Sequence, residues 1–260
     1  GNMAGAIIKG FVNKNCVNSS DIYFIRQNKE KQAQQASELG INGCNGYDSL
    51  IENSDILFLG VKPVVFPTLL PQIAKSVKKK NPLVVSMAAG LTTDSIRDML
   101  GYDAKIIRIM PNVNAAIAMS TTAVCKNEFA SDEDLATIKN LFSTIGLTTE
   151  VPENQFAIFT AIAGCSPAYV YMFIDGLARG AQKMGMNKQK ALEIAASAVI
   201  GSASMYAQSN EHPQELVDKV CSPGGTTIEG VTTLEEYKFT AGVVKAVENS
   251  ILKDRELSKK

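Results

Sequence analysis

Across the first 150 residues, short runs of β-branched and aliphatic residues alternate with stretches whose apolar positions recur at helical spacing. That rhythm predicts βαβ units and hence a parallel sheet. Strands are expected at residues 21–25, 55–61, 83–87, 105–110 and 121–125. Most read as nearly continuous apolar runs, as they must when helices cover both faces of a sheet. Helices fit between them at residues 4–13, 29–39, 64–78, 93–100 and 132–145. Ser131-Asp132-Glu133-Asp134 supplies a cap and acidic groups at the start of the last of these, where the helix dipole favours them.

After Val151-Pro152-Glu153 the pattern changes. From Asn154 onward only helical periodicity remains, interrupted at Ser166-Pro167, 185–187, His212-Pro213 and 222–225. A boundary near residue 150 is therefore expected, with an α/β domain at 1–150 and an all-α domain at 151–260. Residues 191–207 are apolar around nearly the whole circumference, so that helix must be buried on all sides. Roughly 100 helical residues cannot easily surround it alone, which points to a second subunit. The alternative is a central helix inside a monomeric bundle.

Composition narrows the function classes. Lys+Arg and Asp+Glu number 26 each, so no global field draws nucleic acid or an anionic membrane. No apolar run approaches the ~20 residues of a membrane span, and no signal-peptide pattern opens the chain. The five cysteines lie far apart and are odd in number, which reads as reduced thiols in a cytoplasmic protein. With a single histidine, His212, expected in a surface loop, no metal site is expected.

The candidate chemistry lies at two glycine clusters. Gly1-Asn2-Met3-Ala4 has the spacing of the second and third small positions of G-x-G-x-x-G/A, the turn that aims a helix N-terminus at a dinucleotide pyrophosphate. A strand of roughly ten residues is expected ahead of Gly1, because a sheet lacking its first strand would expose neighbouring edges. The second strand ends Arg26-Gln27-Asn28-Lys29 with no carboxylate before Glu30, so Arg26, helped by Asn28, favours the 2′-phosphate of NADPH, with NADH possible. Arg26 as a merely solvated charge is the alternative. Further strand ends face the same crevice: Val61-Lys62-Pro63, Ala88-Ala89-Gly90 and Met110-Pro111-Asn112, where Asn112 offers a donor and an acceptor to a nicotinamide. The second cluster, Ser222-Pro223-Gly224-Gly225-Thr226-Thr227, precedes a helical stretch. Its glycines, helix-start amides and hydroxyls make a nest for a small carboxylate, unless it is a plain helix connection.

These segments, together with 163–169 (Ala-Gly-Cys-Ser-Pro-Ala-Tyr), resemble the pyrroline-5-carboxylate reductase family in order along essentially the whole chain. The resemblance implies a Rossmann-type domain followed by an all-α dimerisation domain that interlocks with a second subunit. It implies reduction of 1-pyrroline-5-carboxylate to L-proline with NAD(P)H. Ser222, Gly224, Gly225, Thr226 and Thr227 would then receive the substrate carboxylate, with Thr227 beside the imine nitrogen and facing the partner subunit's nicotinamide. Two rivals stand beside it. A β-hydroxyacid dehydrogenase would need a catalytic lysine, for which only Lys183, one turn from Asn187, offers itself. The other is a catalytically idle binding module.

Overall fold

The computed structural model describes residues 1–257; of Asn2 it describes the backbone alone. Contacts divide the described residues into two compact units, residues 1–164 with 251–257, and residues 165–250. The division falls later than the boundary expected near 150, because residues 151–164 pack on the first unit. Phe156 is fully buried there with Met110, Ala123 and Cys125.

The first unit begins with α1 (Asn2–Asn13), β1 (Tyr23–Phe24), α2 (Lys29–Leu39), β2 (Asn42–Gly43) and α3 (Tyr47–Glu52). It continues through β3 (Ile56–Leu59), α4 (Phe66–Lys80), β4 (Leu83–Ser86), α5 (Thr93–Leu100) and β5 (Ile106–Met110). Then come β6 (Ser120–Lys126), α6 (Asp132–Ser143), β7 (Gly146–Glu150) and the short α7 (Phe156–Phe159). Strands β3 to β7 form one sheet in sequence order. β3, β4 and β5 run parallel, whereas β6 is antiparallel to β5, so the sheet is parallel-dominated and not purely parallel. β1 and β2 pair only with each other.

Every residue of β4 and β5 is buried, and alternate residues feed opposite cores. Val84 and Ile106 meet α4 and α5 through Phe66, Leu70, Val77 and Ile96. Val85, Ile107 and Ile109 meet α1 and α6 through Ile7, Phe11, Ile138 and Phe142. Helices thus cover both faces, which is why these strands read as unbroken apolar runs. Ser131 and Asp134 form a capping box at the start of α6. An apolar cavity of about 560 Å³ lies between residues 21–26 and 53–61, under Ala4, Ile7 and Phe11 of α1.

The second unit contains α8 (Ser166–Lys183), α9 (Lys188–Gln208), α10 (Pro213–Val220), α11 (Thr226–Glu236) and most of α12 (Phe239–Leu257). Two expectations need correction. Ser166-Pro167 does not break the helix, since a π-helical turn over Thr160–Cys165 leads directly into α8. Proline is tolerated in the first turn of α8 because it has no N–H to leave unpaired. Glu153–Lys183 is also long and apolar enough to cross a membrane by length and composition, with 11% of its apolar window buried. That apolar surface is uncovered in the single chain, and α9 is alike. Only Ala191 and Ala195 of α9 are buried, while Ile200 and Met205 are 65% and 67% exposed.

Candidate active site

The carboxyl ends of β3, β4 and β5 lie at one edge of the sheet because the three strands are parallel. They carry the three segments singled out in the sequence. Val61 and Lys62 are exposed there, and Lys62 and Pro63 open a 3₁₀ turn at Pro63–Val65. Ala88 is buried, Ala89 is exposed, and Gly90 turns the chain with φ +79°. Asn112 follows β5 and is 5% exposed.

Gly1 caps α1 with no side-chain bond, and the first helical bond runs from the Gly5 N–H to the Gly1 carbonyl. The amides before Gly5 are left without helical partners, the condition that makes a helix start receptive to phosphate. A Cβ on Gly60 would lie 2.8 Å from the Ala4 Cβ, so α1 approaches the end of β3 as closely as backbone allows. Gly60 was not singled out from sequence; only its place at a strand end marks it. This cradle of Gly1, Ala4 and Gly60 fits a dinucleotide pyrophosphate.

Arg26 lies near the same turn. One guanidinium nitrogen donates to Gln35 Oε1 (2.8 Å), and the Arg26 backbone N–H donates to Gln32 Oε1 (2.8 Å). Gln32 is buried and also donates to the Cys44 carbonyl at 2.9 Å, so α2 fixes the strand end that presents Arg26. Both glutamines escaped the sequence reading because a polar residue on a helix face signals solvent unless its partner is known. Asn28 caps α2, its Oδ1 accepting from the Lys31 N–H at 2.8 Å.

Asn112 departs from expectation. Its Nδ2 donates to the Ala163 carbonyl (3.0 Å), and its Oδ1 accepts from the Asn114 and Thr121 N–H groups (3.2 and 3.3 Å). Both ends of the amide expected to face a nicotinamide are engaged within the protein. Nearby, Glu153 accepts from the Thr93 N–H (2.8 Å) and hydroxyl (3.0 Å) at the start of α5 and pairs with buried Arg108 at 3.2 Å. Arg108 also stacks 4.5 Å from the Phe156 ring centroid. Cys125 lies in this cluster, and burial, aided by Glu153, pushes its thiol up to about 12.

In the second unit, the glycine turn is built as a helix start. Gly224 has φ +65°, Gly225 is the N-cap of α11, and its N–H donates to the Ser222 carbonyl at 3.0 Å. A Cβ on Gly225 would collide with the Ser222 hydroxyl oxygen, so only glycine lets that hydroxyl lie over the turn. Thr226 and Thr227 are the first two residues of α11, and no side chain caps its amides. The turn therefore offers unpaired N–H groups and hydroxyls together, the donor set a carboxylate needs.

The rival sites fare less well. Lys183 ends α8, and Asn187 is spent capping α9, accepting from the Lys190 N–H at 3.1 Å. His212 is exposed as expected, yet it does local structural work, because its Nδ1 caps α10 by accepting from the Gln214 N–H at 3.2 Å. Among the described residues all five cysteines are free, and no His, Cys, Asp and Glu group could hold a metal.

Comparison with known proteins follows the same two halves. Residues 153–257 match the family model for pyrroline-5-carboxylate reductase dimerisation, and residues 1–90 match that for NADP oxidoreductase, coenzyme F420-dependent. The chain is 39% identical to pyrroline-5-carboxylate reductase of Escherichia coli (strain K12), covering 100% of this chain and 96% of the relative. It resembles the 1-pyrroline-5-carboxylate reductase structure from Streptococcus pyogenes (TM-score 0.88, 37% identity, 98% and 95% of the two chains covered). It also resembles the NADP-bound pyrroline carboxylate reductase structure from Plasmodium falciparum (TM-score 0.89, 28% identity, 99% and 95% covered).

Proposed function

Because the chain belongs to the pyrroline-5-carboxylate reductase family, we propose a division of labour by which its residues reduce 1-pyrroline-5-carboxylate to L-proline with NAD(P)H. The backbone at Gly1, Asn2, Met3 and Ala4 holds the cofactor pyrophosphate. Arg26 selects NADPH through its 2′-phosphate, with Asn28 holding the helix start beside it. The strand ends at Val61-Lys62-Pro63 and Ala88-Ala89-Gly90 give close backbone approach to the flat nicotinamide. When bound, that cofactor supplies the hydride.

The glycine turn holds the other reactant. On the turn shaped by Gly224 and Gly225, the amides of Thr226 and Thr227, with the Ser222 hydroxyl, anchor the substrate carboxylate and so fix the ring's orientation. An iminium carbon is already electrophilic, so positioning carries most of the catalysis. Reduction of the C=N bond needs one hydride on carbon and one proton on nitrogen. The Thr227 hydroxyl holds that proton at the nitrogen or relays it from solvent. No histidine or paired carboxylates are required. The uncovered apolar faces of α8 and α9 support a homodimer in which one subunit's turn faces the other's cofactor half. Free cysteines fit the reducing cytoplasm.

The observation that carries this reading is the Ser222–Gly225 contact at the uncapped start of α11. Steady-state oxidation of NADPH by the cyclic imine acid tests it. Gly225→Val should raise the imine KM at least about tenfold, the scale of losing one charge-assisted hydrogen bond, and leave the NADPH KM unchanged. Equal loss of both affinities overturns the division. NADPH binding without turnover would instead mark an idle binding module.

A further inference from the structure

The π-helical turn Thr160–Cys165 is an irregularity that the proposed chemistry does not use. A π turn inserts one extra residue into an otherwise α-helical path. Such an insertion disturbs the regular bonds of its carbonyls, and a donor from outside the helix can satisfy one of them.

That donor is Asn112. Its Nδ2 donates to the Ala163 carbonyl at 3.0 Å, in the middle of the π turn, across 51 residues of sequence. The amide is 5% exposed and cannot rotate freely, since its Oδ1 accepts from the Asn114 and Thr121 N–H groups. The Asn112 N–H is in turn directed at the Ser120 hydroxyl (3.4 Å), which bonds Thr122 at 2.9 Å. The strand end at the cofactor edge and the π turn are thus tied through one oriented carboxamide.

We propose that Asn112 is a positioning residue that locks the π turn through the Ala163 carbonyl, and that this lock is needed for hydride transfer more than for cofactor binding. The kinetic half of the proposal rests on the reductase reading above; the structural half does not. Asn112→Asp separates the two roles of the amide. It keeps an acceptor for Asn114 and Thr121 but cannot donate to Ala163. Residue-resolved amide hydrogen exchange and NADPH kinetics are measured for the full chain, for Asn112→Asp and for Asn112→Ala.

Both variants should exchange about tenfold faster across residues 161–166, the scale of one lost hydrogen bond, while α4 and α6 stay protected. Both should lose at least about tenfold in kcat with the NADPH KM within about twofold, as expected for a misplaced reacting geometry. An Asn112→Asp protein that exchanges and turns over like the parent overturns the lock, leaving Asn112 as a holder of its own loop. Faster exchange spread over the whole first unit overturns it too, as does local loosening with an unchanged kcat. If the parent chain shows no imine reduction, the reductase reading fails, and the exchange pattern still decides whether Asn112 holds the turn.

Discussion

The Arg108–Glu153 pair should dominate the stability of the first unit, and the size of its effect follows from burial. The Arg108 side chain is 6% exposed and Glu153 28%, and the Glu153 carboxylate also accepts both the Thr93 N–H and hydroxyl. Arg108 Nε has no hydrogen-bond partner, so the guanidinium depends heavily on Glu153. Removing one partner of a buried ion pair costs about 3–5 kcal/mol, because the other charge stays buried. Asp254 also feels the Arg108 charge, which pulls the figure toward the lower end. Losing the Thr93 contacts adds about 1 kcal/mol, the usual value of a helix cap. Glu153→Ala should therefore lose about 4 kcal/mol of unfolding free energy, measured by urea titration at fixed protein concentration with an unchanged slope. The exposed pair Lys139–Glu150 is the control. Its side chains are 39% and 56% exposed at 3.5 Å, so Lys139→Ala should cost less than about 0.5 kcal/mol. Replacing both charges, Arg108→Met with Glu153→Leu, should recover much of the loss, since apolar isosteres often equal a buried pair. A Glu153→Ala protein within about 1 kcal/mol of the parent would refute the reasoning.

Three further outcomes are expected. Gly60→Val should drive the start of α1 off the end of β3; overpacking of about 1–3 kcal/mol raises the NADPH Kd roughly tenfold in a nicotinamide fluorescence titration, and an unchanged Kd would remove Gly60 from the cradle. Arg26→Asp should raise the NADPH KM at least about tenfold and leave the NADH KM unchanged or lower, whereas parallel effects on both cofactors would make Arg26 a general surface charge. Ile200→Glu should shift the chain to a monomer in light scattering, and an intact dimer would mean that α9 faces solvent.

What was legible in the sequence follows from which signals are local. Helices α2 and α5 fall on the expected residues because each has a side-chain cap at its start and a left-handed glycine at its end. β4 and β5 were visible as apolar runs because both faces are buried. β7 was not, since Gly-Leu-Thr-Thr-Glu is half-exposed and carries neither alternation nor a run. The antiparallel direction of β6 is a property of the connection at 111–119, which periodicity does not encode. In the candidate site, the local backbone geometry of the glycines and strand ends was readable because it is set by residues near themselves in sequence. The Gln32, Glu153 and Asn112 contacts bridge 12, 60 and 51 residues, and nothing local announces such partners.

The second unit forces association and catalysis to be considered together. Among the described residues of 165–250, the buried ones are Pro167, Ala178, Ala191 and Ala195, all small or cyclic. Burying a large aliphatic side chain contributes about 1.5–3 kcal/mol, and this unit buries none, so alone it lacks the driving force to offset chain entropy. Its large side chains, such as Met172, Ile200 and Met205, are exposed and await a surface. In the proposed dimer, folding of this unit and pairing of subunits are one equilibrium, and its stability rises with protein concentration. The turn proposed to hold the carboxylate lies in this unit, so its donors are organised only when the helices are covered. The proposed cofactor cradle lies in the first unit, which buries large side chains of its own such as Phe66, Phe142 and Ile107. Dilution should therefore abolish imine reduction before it weakens NADPH binding, with the activity midpoint tracking the dimer dissociation constant. Activity and cofactor binding that decline together on dilution would instead show that the first unit also depends on the partner.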